Sequence, residues 1–315
     1  MLKFGIWTQE QYLREGERRK LFGHRVSYSL LNVGDNPTPE QIRVFEDISF
    51  TLRTSNGTFR TTFRNRFSQI DNLVLERLGE LYAPGTALVV EDRAVSHALT
   101  SLEWACKLFP CFPNARFFAS DILLYLIELT LPNGDVFVVE PNGKPLQYIR
   151  PPFVVSLQHR EAKRYPVNSW VAALARRRFA GLALPEGWME GAGEYSVRRI
   201  PFIHPEARAL SRSNPRFQVC LQSVFDVSTA PCHVIRTMNI FNRGYFSEQQ
   251  LMEGARAVHQ SLLPGGIWIV GRTLEEDLSN HGAVLRRSPG GWDVIDRIGD
   301  GSEMEAIALP RPIHA

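Results

Sequence analysis

Thr86-Ala87-Leu88-Val89-Val90-Glu91-Asp92-Arg93-Ala94-Val95-Ser96-His97-Ala98 runs from apolar, partly β-branched residues through acids to small side chains at alternate positions 94, 96 and 98. The apolar run predicts a strand over 86–90, and the apolar spacing over 99–108 predicts a helix after the loop. Dinucleotide and adenosyl sites need small residues in such a loop, because the main chain must approach the ligand closely and the helix must pack tightly on the strand. Glycine is usual there since it reaches φ > 0 freely, whereas Ala and Ser do so only at a cost. Starting the motif at Glu91 would crowd the loop with Arg93, Val95 and His97, so Asp92 is preferred as its acid. An ordinary strand-to-helix loop without a ligand is the competing reading.

Downstream, 115–120 predicts a second strand ending at Asp121, helical character is expected over 122–129, and another strand over 136–140. An acid at 121 can accept two hydrogen bonds from ribose hydroxyls, next to Ile122, or it can simply cap the helix expected to start there. Regular alternation returns with strands at 218–222 and 233–236, a helix over 248–262, and a strand at 267–270 behind the Pro264-Gly265-Gly266 turn. The tail, 292–298 and 304–309 around Gly299-Asp300-Gly301, suits a closing antiparallel hairpin.

Upstream, Ile70, Val74, Leu78 and Leu81 recur at helical spacing, and 50–63 reads as a hairpin around Ser55-Asn56-Gly57. The expected organisation is an N-terminal appendage of hairpin and helix over 1–82, then an α/β domain over 83–315. That domain carries an insertion at about 147–217, rich in arginines such as Arg176, Arg177, Arg178, Arg198, Arg199, Arg212 and Arg216. Alternating strands and helices on both sides of the insertion predict a mostly parallel sheet covered on both faces. Ligands of such sheets sit beyond the carboxyl ends of the strands, so the loops after Val90, Ser120, Gln222 and Arg236 are where chemistry is sought. Asp226 could accept from an adenine amino group while Phe225 packs on the ring, or it could form a turn.

Hydrophobic residues at 44% and charged residues at 22% exclude wholesale disorder and fibrous repeats. No run of about 18 apolar residues is present, and 1–10 lacks a secretory signal's apolar core, so no membrane span and a cytoplasmic location are expected. Cys106, Cys111, Cys220 and Cys232 have no zinc-site spacing and are read as free thiols, with no metal expected. A net charge of +3 is too small to indicate nucleic acid as a partner.

Val234-Ile235-Arg236-Thr237-Met238-Asn239-Ile240-Phe241-Asn242, then Tyr245-Phe246, a helix, and Leu262-Leu263-Pro264-Gly265-Gly266-Ile267-Trp268-Ile269-Val270-Gly271 resemble the fourth and fifth strands of class I S-adenosylmethionine-dependent methyltransferases. The nearest likeness is to the chemotaxis-receptor glutamate methyltransferase group. With Asp92 to Ala98, Asp121 and Asp226, the resemblance covers 86–129 and 218–309. It implies a Rossmann-like fold and S-adenosyl-L-methionine as cofactor. It also implies that Asp92, Ala94, Ser96 and Ala98 surround the methionine part, Asp121 holds the ribose, Asp226 lies near adenine, and Asn239 faces the transferable methyl. The acceptor, a small molecule or a protein, does not carry over.

Methyl transfer from a sulfonium is an in-line displacement, so positioning and water exclusion supply much of the rate. A carboxylate acceptor is already nucleophilic, whereas a hydroxyl or amine would want a base such as His159, His204 or His233. Arginines of the insertion could clamp an anionic acceptor, or form a solvated helix face at 176–178. Two alternatives stand beside this reading. One is a catalytically inactive methyltransferase-like binding or regulatory protein. The other, a nicotinamide-dependent oxidoreductase, is disfavoured by the missing GxGxxG spacing and the closing hairpin.

Overall fold

The computed structural model describes residues 3–14, 25–158, 165–191 and 194–309. The chain divides into two compact units, one made of 1–62 with 123–205, the other of 63–122 with 206–315.

The second unit holds α3 (Ser68–Leu81), β1 (Val89–Arg93), α4 (Leu99–Cys111), β2 (Arg116–Asp121), α6 (mostly; Pro205–Ser213), β8 (Phe217–Leu221), β9 (Cys232–Met238), α7 (Glu248–Ser261), β10 (Leu262–Thr273), β11 (Asn280–Ser288), β12 (Gly291–Ile298) and α8 (Glu305–Ala308). Its seven-stranded sheet has the order β12-β11-β10-β9-β1-β2-β8. The strands from β10 to β8 are parallel, and β11 and β12 add an antiparallel meander at one edge. The fold is therefore mixed α/β and Rossmann-like, as expected.

Alternation along the strands sorts the core between the two faces. Val89, Ile235, Trp268 and Val270 pack with Leu251, Ala255 and Val258 of α7. On the opposite face Trp104 of α4 meets Phe117 edge-on at 5.2 Å, and Arg236 reaches Asp71 of α3. The α7 start was legible: Ser247 accepts from the Gln250 amide and Gln250 accepts from the Ser247 amide, a reciprocal cap.

The first unit holds α1 (Gln9–Arg14), α2 (Pro39–Thr51), β3 (Tyr125–Thr130), β4 (Val136–Val139), β5 (Pro145–Arg150), β6 (Phe153–Ser156), α5 (Pro166–Ala180) and β7 (Ser196–Pro201). Its antiparallel sheet has the order β6-β5-β4-β3-β7. Leu126, Val138, Leu146 and Ile200 pack on Val44, Phe45 and Ile48 of α2. Ile127, Leu129, Phe137, Val139 and Val155 face Ala172 and Ala175 of α5 on the other side.

This sheet corrects several expectations. The predicted helix over 122–129 is β3, whose two faces feed two different cores; a strand buried on both sides reads as a continuous apolar run and mimics a buried helix. Asn133-Gly134 and Asn142-Gly143 are the hairpin turns that distinguish the two, with both glycines at φ +83°. The compact unit therefore begins at 123 and closes at 205, where an insertion at 147–217 was expected, and it recruits 1–62 rather than 1–82. The helix α3, expected in the appendage, belongs to the parallel-sheet unit. The hairpin around Ser55-Asn56-Gly57 forms in short form, with the Arg53–Phe59 bridge flanked by backbone bonds from Thr54 to Thr58 and from Arg60 to Leu52, and it starts at Leu52 because α2 extends to Thr51. At the tail the hairpin is formed by β11 and β12 rather than by 292–298 with 304–309, where α8 packs instead.

Among the described residues, no helix is long and apolar enough to cross a membrane.

Candidate active site

The strand order reverses between β1 and β9: the chain leaves β1 toward β2 and β8, then returns beyond β1 to β9 and β10. A crevice for ligand opens at the carboxyl ends of the strands beside such a switch point. The loop 94–98 lies there, and its backbone is unusual. Ala94 (φ 58°), Ser96 (φ 58°) and Ala98 (φ 64°) all occupy the left-handed region. Each costs a residue with a Cβ about 1–2 kcal/mol, so a chain free to choose would place glycine there. The alternate small residues of the sequence are thus the ones with left-handed backbone.

Asp121, the last residue of β2, is 1% exposed and accepts the Ser96 amide through Oδ2 at 2.8 Å. The Val95 amide donates to the Ser120 carbonyl at 3.2 Å. Together these bonds pin the loop to β2. No helix follows Asp121, so the helix-cap alternative lapses, and Ile122 is left exposed. Beyond the loop, α4 begins with no side-chain hydrogen bond capping its first turn.

Asp92 is engaged by protein partners on the helix-covered face of β1. It is the direct ladder partner of Arg236 in the parallel β1–β9 pair, so both side chains lie on the α3/α4 face. Arg236 donates to Asp92 through Nε (2.9 Å) and Nη2 (2.5 Å), and to Asp71 through Nη1 (2.5 Å). Ser101 donates to Asp92 at 2.6 Å, and Trp104 stacks on the guanidinium at 4.3 Å. Burial pushes the Asp71 carboxyl up to about 6 despite the opposing pull of Arg236 and Lys107. Arg93, on the opposite face, spans Glu91 (2.9 Å), Ser228 (2.8 Å), Ser261 and the Asp226 carbonyl. It thereby fastens the helix-free crossover 222–231 that joins β8 to β9.

In that crossover the Asp226 carboxylate accepts the Ser223 amide at 2.8 Å, which is the turn-forming arrangement. Phe225 sits edge-on to Phe246 at 5.1 Å and beside Phe241.

Asn239 follows β9 directly at φ 61°, a conformation Asn tolerates better than most residues. Its Oδ1 accepts the Thr273 amide at 2.7 Å, and its own amide donates to the Gly271 carbonyl. Sequence reasoning missed the residue beside it. Arg66 Nε donates to Thr273 Oγ1 at 3.1 Å, and the Arg66 carbonyl accepts from Asn280. The guanidinium lies over the Phe63 and Phe67 rings at 5.4 and 5.5 Å, and burial lowers its pKa to about 10. The signal was an arginine bracketed by phenylalanines just ahead of α3. A cleft of about 240 Å³ adjoins the end of β10, lined by Phe241, Arg272, His281 and Asp300 among others.

His233 is not brought to the crevice. His233 lies near the amino end of β9, where Nδ1 accepts the Val89 amide at 3.1 Å and burial lowers its pKa. His204 is fully buried in the other unit, 3.0 Å from Glu46. His159 lies outside the described residues. Arg178 of the expected solvated trio ion-pairs with Asp135 at 2.7 Å.

No family model matches this chain, and no curated protein matches it. Among solved structures, it is similar to a protein described as an O-methyltransferase from Nostoc punctiforme at 13% identity, covering 67% of this chain and 39% of that one with a TM-score of 0.30. It is similar to an O-methyltransferase family protein from Burkholderia thailandensis at 10% identity, 85% and 53% coverage and a TM-score of 0.31. A third likeness is to a protein described as a sarcosine dimethylglycine methyltransferase from Galdieria sulphuraria, at 11% identity, 73% and 56% coverage and a TM-score of 0.31. The chain thus spans between 39% and 56% of the length of these structures.

Proposed function

We propose that the parallel-sheet unit binds S-adenosyl-L-methionine and transfers its methyl group to an anionic acceptor. One observation carries the reading: the loop after β1 keeps three alternate residues left-handed at 94, 96 and 98 without a single glycine. A loop serving only to join a strand to a helix has no need of that geometry, whereas a main chain laid against a nucleoside ligand does. The likeness over 234–271 supports the same conclusion. The finer kinship with the glutamate methyltransferases of chemotaxis rests on that stretch alone.

The cofactor, when bound, supplies a methyl group on a sulfonium, and no covalent enzyme intermediate is needed. The residues that would hold it are those of the loop 94–98, through main-chain groups and small side chains, with the α4 amides beside them. Asp121 keeps the loop in place through Ser96, and Asp92 secures β1 to β9 through Arg236, so these two acids act on the scaffold. Asn239, tied to Thr273, presents the end of β9 to the acceptor side. Arg66, next to the same threonine, offers a guanidinium suited to a carboxylate acceptor, which needs no base. The acceptor is a small molecule or a protein side chain bearing that group.

Calorimetry of the full chain with S-adenosylmethionine and S-adenosylhomocysteine tests the proposal. Saturable binding of both is expected. Failure to bind either would overturn it and leave a methyltransferase-like protein without catalytic function.

A further inference from the structure

The antiparallel-sheet unit carries a cleft of its own, independent of the methyltransferase reading. At one end of this sheet the β5–β6 turn meets the C-terminal half of α5. A cleft of about 240 Å³ opens between them, lined by Phe153, Val171, Leu174, Ala175, Arg150 and Arg178, with Tyr148 at its floor.

The charge arrangement is specific. Asp135 is fully buried, and its carboxylate is saturated: Oδ1 accepts from Tyr148 (2.9 Å) and Arg150 Nη1 (2.9 Å), while Oδ2 accepts from Asn133 (3.1 Å) and pairs with Arg178 Nη1 (2.7 Å). Two guanidiniums thus share one carboxylate, which leaves a net charge of +1 at the cleft. Each side chain is about half exposed, at 53% and 43%, and each pairs with Asp135 through Nη1. A guanidinium carries five N–H donors, so each has more than its contact to Asp135 uses.

The walls tell what the anion is attached to. Helix α5 buries one stripe, Ala172 and Ala175, against the sheet. A second stripe, Val167, Trp170 and Leu174, recurs at helical spacing and stays exposed, at 40%, 64% and 42%. It leads along the helix to Arg178. An apolar wall ending in a guanidinium pair fits an amphipathic anion better than a hydrated inorganic one.

We propose that this cleft binds a small monocarboxylate with an aromatic or branched apolar body, the carboxylate bridging Arg150 and Arg178 and the body lying on Phe153, Val171 and Leu174. A monoanion balances the single uncompensated positive charge, and its planar oxygens match guanidinium geometry.

Calorimetric titration of the full chain with phenylacetate tests this, with 2-phenylethanol, acetate and phenylphosphonate as comparators. Saturable one-to-one binding of phenylacetate is expected, at least about tenfold tighter than any comparator. Leu174→Glu, at an exposed position, should weaken it by about tenfold or more while leaving the urea unfolding midpoint unchanged. Arg178→Gln should weaken it similarly. Absence of saturable phenylacetate binding, equal affinity for 2-phenylethanol, preference for phenylphosphonate, or indifference to Leu174→Glu would each overturn the assignment.

Discussion

Arg236 and Asp92 are register partners on adjacent parallel strands, and they form a two-bond ion pair with Nε and Nη2 at 2.9 and 2.5 Å from the carboxylate oxygens. Both are essentially inaccessible, and Asp71 completes the buried triad. The pair ties β1 to β9 beside the switch point, so the rigidity of the candidate crevice depends on it.

Removing the cation should expose that dependence. Arg236→Leu leaves Asp92 buried without its ion-pair partner and Asp71 with only the more distant Lys107, and should cost about 3–5 kcal/mol. Urea unfolding measures it; a loss below about 1 kcal/mol would show that the acids find other partners.

The same triad has a pH signature. Burial lifts the Asp71 carboxyl from 3.8 to about 6, so the folded chain holds that proton more tightly than the unfolded chain. Its contribution is therefore complete below pH 3.8 and is lost as pH rises through about 6. Relative to Asp71→Asn, the natural protein should lose stability as pH rises across this window. Urea midpoints of both proteins at several pH values check it, and a constant difference would contradict the assignment.

Glycine should be welcome in the loop 94–98. Ala98→Gly removes a left-handed penalty of about 1–2 kcal/mol while adding some unfolded-state entropy, so a net gain of about 0.5–1 kcal/mol is expected. Thermal unfolding measures it, and Ala94→Gly should behave alike.

Asp121 separates two roles by substitution. If it holds the loop through Ser96, Asp121→Ala should lose about 1–3 kcal/mol of stability, with weaker S-adenosylhomocysteine binding, while Asp121→Asn, which keeps an acceptor oxygen, restores much of both. A carboxylate gripping ribose hydroxyls directly would instead show normal stability and lost affinity in the Asn variant. Unfolding and calorimetry on both variants decide.

The thiols should divide by exposure. Cys106 and Cys111 are exposed, whereas Cys232 is buried and burial raises its pKa to about 12. A thiol reagent at pH 8 should modify the first two in the native protein and Cys232 only after unfolding, as peptide mass spectrometry would report.

Much of the parallel sheet was readable in advance because its elements carry local signals. The capped helix α7, the apolar strands β9 and β10 and the small-residue loop after β1 each announce themselves within a dozen residues. The antiparallel unit was not readable in the same way. β3 feeds two cores at once, so its period of two vanishes into an unbroken apolar run, and the two Asn-Gly turns beside it were the remaining cue. The alternating small residues coincide with the left-handed positions 94, 96 and 98. Arg66 escaped notice because its neighbour Thr273 is 207 positions away.

Composition and periodicity alone determined that this chain forms an α/β protein with a strand, a small-residue loop and a helix over 86–108, since strand, turn and helix propensities are short-range properties. Only the tertiary structure decided what the acids of that region do. Whether Asp92 meets a ligand or Arg236 depends on which strand pairs with β1 and in which register, and that pairing is set by burial of both sheet faces across more than a hundred residues of intervening chain.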